Sequence, residues 1–209
     1  MSEKMNEWKN PKLETVGETE DSAESFENVV YDWARCLLSA VVGVVLLFTF
    51  AVRMIGVSGG SMQNTFYTGD RLIMLNSMFC DFQPGDIVVV NAYNAELSDT
   101  IIKRIIAVGG QTVDINLQSG IVYVDGNPLD EPYVKELTYT TGGTKFPLTL
   151  AEDEVFVMGD NRNHSTDSRS TQLGAIKKDY LQGEAFFLLI PGKTPENEKM
   201  DWSRIGFIG

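Results

Sequence analysis

Between Arg35 and Arg53 the chain carries no charge, and most of the residues between them are aliphatic or aromatic. A helix rises about 1.5 Å per residue, so crossing a bilayer's hydrocarbon core takes roughly 17–25 such residues. This run is at the short end of that range. Tyr31 and Trp33 stand where interfacial aromatics stand, and the flanking arginines can snorkel to the headgroups. A helix buried in a soluble core would show a polar face, and none is present. A cleaved secretory signal would have a short basic start and a small-x-small site, whereas the segment ahead of this run is long and acidic. The expectation is a retained membrane anchor over residues 31–54. The basic residues at its two ends nearly balance, so charge alone does not orient it.

Residues 1–33 hold nine acids and three lysines, a net charge of 3 − 9 = −6 and half of the chain's −12. With no trustworthy period before Glu27, residues 1–30 are expected to form a disordered acidic tail. No basic stripe remains for nucleic acid, which is excluded as a partner. Cys36 lies inside the apolar run and Cys80 far beyond it, so neither an internal disulfide nor a metal-ligand set is expected. A Ser-His-Asp triad would have to use His164, the only histidine.

Past Arg53 the rhythm is β. Short runs rich in Val, Ile and aromatics recur at 71–75, 87–93, 100–108, 112–115, 121–124, 155–158 and 185–190, separated by turn residues such as Pro84-Gly85-Asp86 and Asp125-Gly126. No strand–helix alternation is present, which disfavours a parallel α/β sheet. The expected fold class is mainly β, an antiparallel, barrel-like sheet domain over 55–209 behind one N-terminal transmembrane helix.

Three stretches bear polar groups where chemistry could occur. Ser58-Gly59-Gly60-Ser61-Met62-Gln63-Asn64-Thr65 puts a serine after two glycines, a backbone free to expose the hydroxyl beside its own N–H. Taken alone, such a stretch is also what an ordinary turn looks like. In the strand 100–108, Lys103 and Arg104 each sit between isoleucines by alternation. Either they are protective charges on an edge strand, or the lysine is desolvated and held neutral. The second reading needs a pKa drop of roughly 2–3 units from 10.4. The third stretch, residues 159–169, is almost wholly polar and mixes Asp with Arg, as a braced hydrogen-bonded loop would.

Together these segments resemble the bacterial type I signal peptidases, membrane-anchored serine proteases that remove signal peptides from exported proteins. Gly60-Ser61-Met62-Gln63-Asn64-Thr65 is similar to the family's nucleophile box, and Gly85-Asp86-Ile87-Val88-Val89-Val90 to a structural strand. Lys103-Arg104-Ile105-Ile106-Ala107-Val108-Gly109-Gly110 is similar to the general-base box, and residues 159–169 to the long polar signature. The order and approximate spacing also match. The resemblance implies Ser61 as nucleophile and neutral Lys103 as general base, with Gly59, Gly60 and Met62 around the oxyanion and substrate. It implies Ser165 orienting the lysine, Asp160 paired with Arg104, and Asp167 paired with Arg169. It further implies no metal or cofactor, secretory preproteins as substrates, and the lipid bilayer as a second partner. The tail would be cytoplasmic and the β domain extracytoplasmic. The substrate would add as an extended strand between segments 55–60 and 100–103, presenting a small-x-small (Ala-x-Ala type) cleavage site. Two positions depart from the pattern: Asn64 stands where proline is usual, and Gly59 where some members carry a hydroxyl.

Other classes fit less well. A repressor-type Ser-Lys protease would need a DNA-binding module in place of the anchor. A penicillin-binding enzyme would need Ser-x-x-Lys, which is absent. The non-enzymatic alternative is a catalytically silent, membrane-tethered β module assisting surface-protein or pilus assembly.

Overall fold

The computed structural model describes residues 15–92, 100–194 and 197–208. The chain divides into two units, residues 1–47 and residues 48–209.

The first unit is built on helix α1, Thr15–Phe50. Its segment Phe26–Phe50, 25 residues with a mean hydropathy of 2.0, is long and apolar enough to cross a membrane. Its large side chains face outward on every side, from Phe26 and Trp33 to Leu47 and Phe50, the pattern of a helix solvated by lipid rather than by a protein core. The helix starts earlier than the sequence suggests. Residues 1–14 of the expected tail lie outside the described residues, but from Thr15 the chain is helical rather than unstructured. A helix nucleated in the apolar run extends backward without a second nucleation step. It also ends sooner: Val52, Arg53 and Met54, counted with the anchor, begin the first strand.

The second unit contains fourteen strands among the described residues: β1 Val52–Gly56, β2 Arg71–Asn76, β3 Ile87–Asn91, β4 Thr100–Val108, β5 Thr112–Asn116, β6 Ile121–Val124, β7 Asn127–Pro128, β8 Leu148–Thr149, β9 Glu154–Met158, β10 Ile176–Lys177, β11 Leu181–Ile190, β12 Lys193–Thr194, β13 Asn197–Met200 and β14 Gly206–Phe207. Tyr93, read as the end of the second apolar run, lies outside the described residues. The main sheet runs β1-β2-β11-β3-β4-β9-β10, with β14 added against β11, and every pairing in it is antiparallel. Register shifts in β11, at Leu181/Gly183, Ala185/Phe187 and Leu188/Ile190, insert extra residues. Such bulges bend a strand and raise its twist, which curls the sheet into a half-barrel. Gly183 is required at one of them, because a Cβ there would collide with the Leu75 carbonyl.

A smaller sheet, β7-β6-β5-β8, rides on β4 and β9 through a core of Ile106, Val113, Val122, Phe156 and Met158. Asp125 and Gly126 both have positive φ, as a two-residue hairpin between β6 and β7 demands. Within the main sheet, Val88, Val90, Ile105, Val155 and Val157 fill one cluster. Val57, Met62, Phe66, Leu72, Ile87 and Leu188 fill another. The second cluster is the floor on which the Ser61 turn rests.

Candidate active site

Residues 57–70 leave the main sheet after β1 and return to it at β2. Their base is closed by Val57 N–H donating to Asp70 O at 2.8 Å and Gly69 N–H to Val57 O at 3.0 Å. Met62 and Phe66, each 2 % exposed, pin the turn to the core beneath, while Ser61 remains half-buried at its head. Gly59 has φ +88°, a conformation that glycine adopts without strain. The Thr68 hydroxyl grips this residue, accepting from Gly59 N–H and donating to Gly59 O, each at 3.1 Å.

Opposite the turn, β4 carries its two cations buried rather than exposed. β3 pairs with Thr100–Arg104 and β9 with Arg104–Val108, so Arg104 has a strand on each side and Lys103 on one, yet both are only 3 % exposed. The protective-charge reading is therefore set aside. Lys103 Nζ stands 2.7 Å from Ser61 Oγ and donates to Ile102 O at 3.1 Å. Burial pushes its pKa down to about 8, against the pull of the Asp167 and Asp160 carboxylates, which favour the ammonium. A buried amine that loses its proton near neutrality, within hydrogen-bond reach of a serine hydroxyl, can accept that hydroxyl's proton.

The expected ion pairs are present. Arg104 donates from Nε and Nη2 to Asp160 at 3.0 and 2.9 Å, and Arg169 donates likewise to Asp167 at 2.8 and 2.7 Å. All four side chains are nearly or wholly buried. Asp167 also accepts Gly159 N–H at 3.0 Å, so the pair anchors the start of the polar loop. Ser165 is different. Its oxygen is buried without a hydrogen-bond partner among the described residues, and the lysine's second contact is the Ile102 carbonyl instead.

Gly159 explains the crowding at this point. An added Cβ would strike both the Ser165 hydroxyl and the Ser61 carbonyl. Gly159→Ala is expected to displace the Ser61 turn and lower cleavage per folded molecule by about 100-fold, the usual penalty for misplacing reacting groups by about 1 Å. Rate measurement on thermally characterised protein checks this.

Several residues in the assembly are not evident from the sequence. Asn161 donates its backbone N–H to Ser61 O at 3.0 Å and its side-chain Nδ2 to Gly60 O at 2.9 Å. A trans peptide points its C=O and N–H in opposite directions, so holding Gly60 O fixes the direction of Ser61 N–H, a donor available to an oxyanion. Thr65 Oγ1 donates to Asp160 at 2.5 Å, tying the far end of the turn to the Arg104 pair. Tyr133 lies under Arg104, with 3.9 Å from guanidinium carbon to ring centroid. Glu131 receives two bonds from buried Arg162, at 2.8 and 2.5 Å. Asn161 and Arg162 were within reach of sequence reasoning, since both belong to the polar loop. Glu131 and Tyr133 lie in a segment with no usable period. His164 is exposed in the turn Arg162–His164, and Cys36 and Cys80 are both free thiols.

A cleft of about 70 Å³ opens beside Ser61, lined by Gly56, Val57, Ser58 and Gly59 on one side and Thr100 and Ile102 on the other, with Met62 at its base. Both walls offer free strand edges among the described residues. β1 pairs only with β2, and β9 covers β4 only from Arg104 onward. A larger cavity of about 280 Å³, around Val90, Leu173 and Tyr180, contains none of these groups.

The sequence profile of the family described as signal peptidase, peptidase S26, matches residues 30–190. A signal peptidase I of Bacillus amyloliquefaciens is 34 % identical over 182 residues, which cover 83 % of this chain and 95 % of that protein. A probable signal peptidase I-1 of Synechocystis is 35 % identical over 179 residues, covering 81 % and 84 %. The crystal structure of a signal peptidase I from Enterococcus faecalis is 28 % identical, covers 50 % of this chain and 97 % of that one, and superposes with a TM-score of 0.42. The chain therefore belongs to the peptidase S26 family of signal peptidases, serine endopeptidases that process preproteins bearing signal peptides.

Proposed function

We propose that the chain cleaves preproteins through a Ser-Lys dyad, with Ser61 as nucleophile and neutral Lys103 as general base. The observation that carries this reading is the 2.7 Å contact between Ser61 Oγ and the Nζ of a lysine buried to 3 % exposure. In the first half-reaction Lys103 takes the Ser61 proton as Oγ attacks the scissile carbonyl. The resulting ammonium gives that proton to the leaving amine, which departs as the mature protein's N-terminus. In the second half, Lys103 removes a proton from the water that attacks the acyl-enzyme, and returns it to Ser61. Ser61 N–H, on the peptide held by Asn161, donates to the oxyanion in both halves.

The substrate adds as an extended strand between the free edges of β1 and the Thr100–Lys103 half of β4, where its backbone groups find partners. The small cleft accepts small side chains, which favours cutting after small-x-small sites. The apolar segment Phe26–Phe50 anchors the enzyme in the bilayer, with the tail in the cytoplasm and the β domain on the extracytoplasmic side. The chain ahead of Phe26, the segment Phe26–Phe50 and the β unit from Val52 onward are then the tail, the anchor and the peptidase domain.

The test is cleavage of a secretory precursor by the full chain in detergent, with the new N-terminus mapped and the rate followed against pH. With a lysine pKa of about 8, the neutral fraction is about a tenth at pH 7 and gains nearly tenfold per pH unit below that. The expected profile therefore rises with pH and levels off above about 8, and the cut follows a small-x-small site. A flat profile from pH 6 to 9, or cleavage after large residues, would sink the reading. A silent assembly module would bind the precursor and leave it whole.

A further inference from the structure

We infer that Arg204, in the 3-10 turn Trp202–Arg204 beyond the residues matched by the family, is a positioning residue for the Ser61 turn. The inference rests on Ser61 being the nucleophile. Arg204 reaches from the C-terminal segment to two points on residues 57–70. It donates from Nη1 and Nη2 to the two oxygens of Asp70, at 3.0 and 2.6 Å, and from Nη2 to the Thr65 carbonyl at 3.2 Å. Its guanidinium carbon lies 4.7 Å from the centre of the Tyr67 ring.

The contact at Thr65 is the informative one. Thr65 C=O and Phe66 N–H belong to a single planar peptide. Arg204 holds the carbonyl end, and the N–H end donates to Met62 O at 2.8 Å. Met62 directly follows the nucleophile. A guanidinium from the end of the chain is thus linked to the residue beside Ser61 through one rigid peptide and two hydrogen bonds. The Thr65 side chain is held by Asp160, so the turn is tied both to the C-terminal segment and to the Arg104–Asp160 pair.

Asp70 keeps Arg204 in place. The carboxylate is fully buried, and besides Arg204 it accepts Tyr67 N–H at 2.9 Å and Gly192 N–H at 2.5 Å. The arrangement needs the planar, forked donor set of arginine. A lysine ammonium at position 204 keeps the charge beside Asp70 but cannot serve both carboxylate oxygens and the Thr65 carbonyl at once.

The experiment compares wild type, Arg204→Lys, Arg204→Met and Ser61→Ala as full chains in detergent, with thermal melting and precursor cleavage measured on each. For Arg204→Lys, kcat per folded molecule is expected to fall about 10- to 100-fold, with KM within about threefold of wild type and the pH midpoint still near 8. That split marks a misplaced nucleophile, because Arg204 touches neither the cleft nor Lys103. Arg204→Met leaves Asp70 buried without its cation. If it fails to fold, Arg204→Lys alone decides. A folded Arg204→Lys enzyme with wild-type kcat, or one in which only KM or the melting temperature changes, overturns the inference. Wild-type cleavage by Ser61→Ala would instead bring down the nucleophile assignment itself, whatever the Arg204 variants do.

Discussion

Ser61→Ala and Lys103→Ala are each expected to lower precursor cleavage by about 10⁴-fold or more, and the double variant no further, because the two residues act as one unit. The comparison reads kcat on folded protein in detergent. Cleavage surviving in Lys103→Ala with an unchanged pH profile would remove the lysine from the mechanism. The same residue predicts an opposite effect on stability. The Lys103 pKa is depressed in the folded state, so folding disfavours the ammonium. The resulting penalty is fully present below pH 8 and fades as pH rises from about 8 towards the unfolded value near 10.4. Lys103→Met is therefore expected to be more stable than wild type at pH 7, by on the order of 2 kcal/mol, with the difference closing towards pH 10. Denaturant unfolding at several pH values measures it. Such a gain on losing a reactive group fits a site in which function is held at the expense of stability.

Asp160→Ala is expected to produce the largest loss of stability. Asp160 is wholly buried, carries both bonds from Arg104 and accepts the Thr65 hydroxyl. Removing it strands a guanidinium that is 3 % exposed. Breaking a buried pair in this way typically costs about 3–5 kcal/mol, far more than the pair itself contributes relative to an apolar replacement. Replacing both partners, Arg104→Met with Asp160→Leu, is accordingly expected to recover most of the stability while cleavage stays low, because Thr65 and the lysine strand have lost their shared brace. The Asp160 carboxylate also favours the Lys103 ammonium. Whatever activity survives in the double variant should therefore rise at lower pH than in wild type. An unshifted profile, or full activity in the double variant, would show that Asp160 serves the fold alone.

Much of this was legible in the residues. The uncharged run marked a membrane-length helix because a helix apolar on all sides has no soluble partner to face. Its limits were not legible. Helix propagation into the tail and the switch to β at Val52 depend on cooperativity and on pairing with Leu75, 23 positions away. The strands at 71–75, 100–108 and 121–124 were readable from alternation and turn residues, whereas the first four residues of β11, Leu181 to Glu184, were not. Gly183 and Glu184 give little β signal, and their extension is held by neighbours on both sides, β2 and β3.

The site divides in the same way. Local chemistry and family resemblance singled out Ser61, Lys103, Arg104, Asp160, Asp167 and Arg169, because each lies in a short segment whose composition is unusual where it stands. Sequence reasoning left open whether Lys103 was an exposed edge charge or a buried amine. That depended on which strand lay beside β4 and on what covered Nζ, both of which are long-range facts. The roles of Asn161, Thr65, Tyr133 and Arg204 are of the same kind. Arg204 is an ordinary surface-type residue until the chain brings it to Asp70, 134 positions earlier. The membrane-length helix, the β class and the reactive residue types follow from hydrophobic period and local composition alone. Which charges are buried, which carbonyls hold the Ser61 turn and how far the lysine pKa falls emerge only once the chain is folded, because desolvation and hydrogen-bond geometry depend on neighbours distant in sequence.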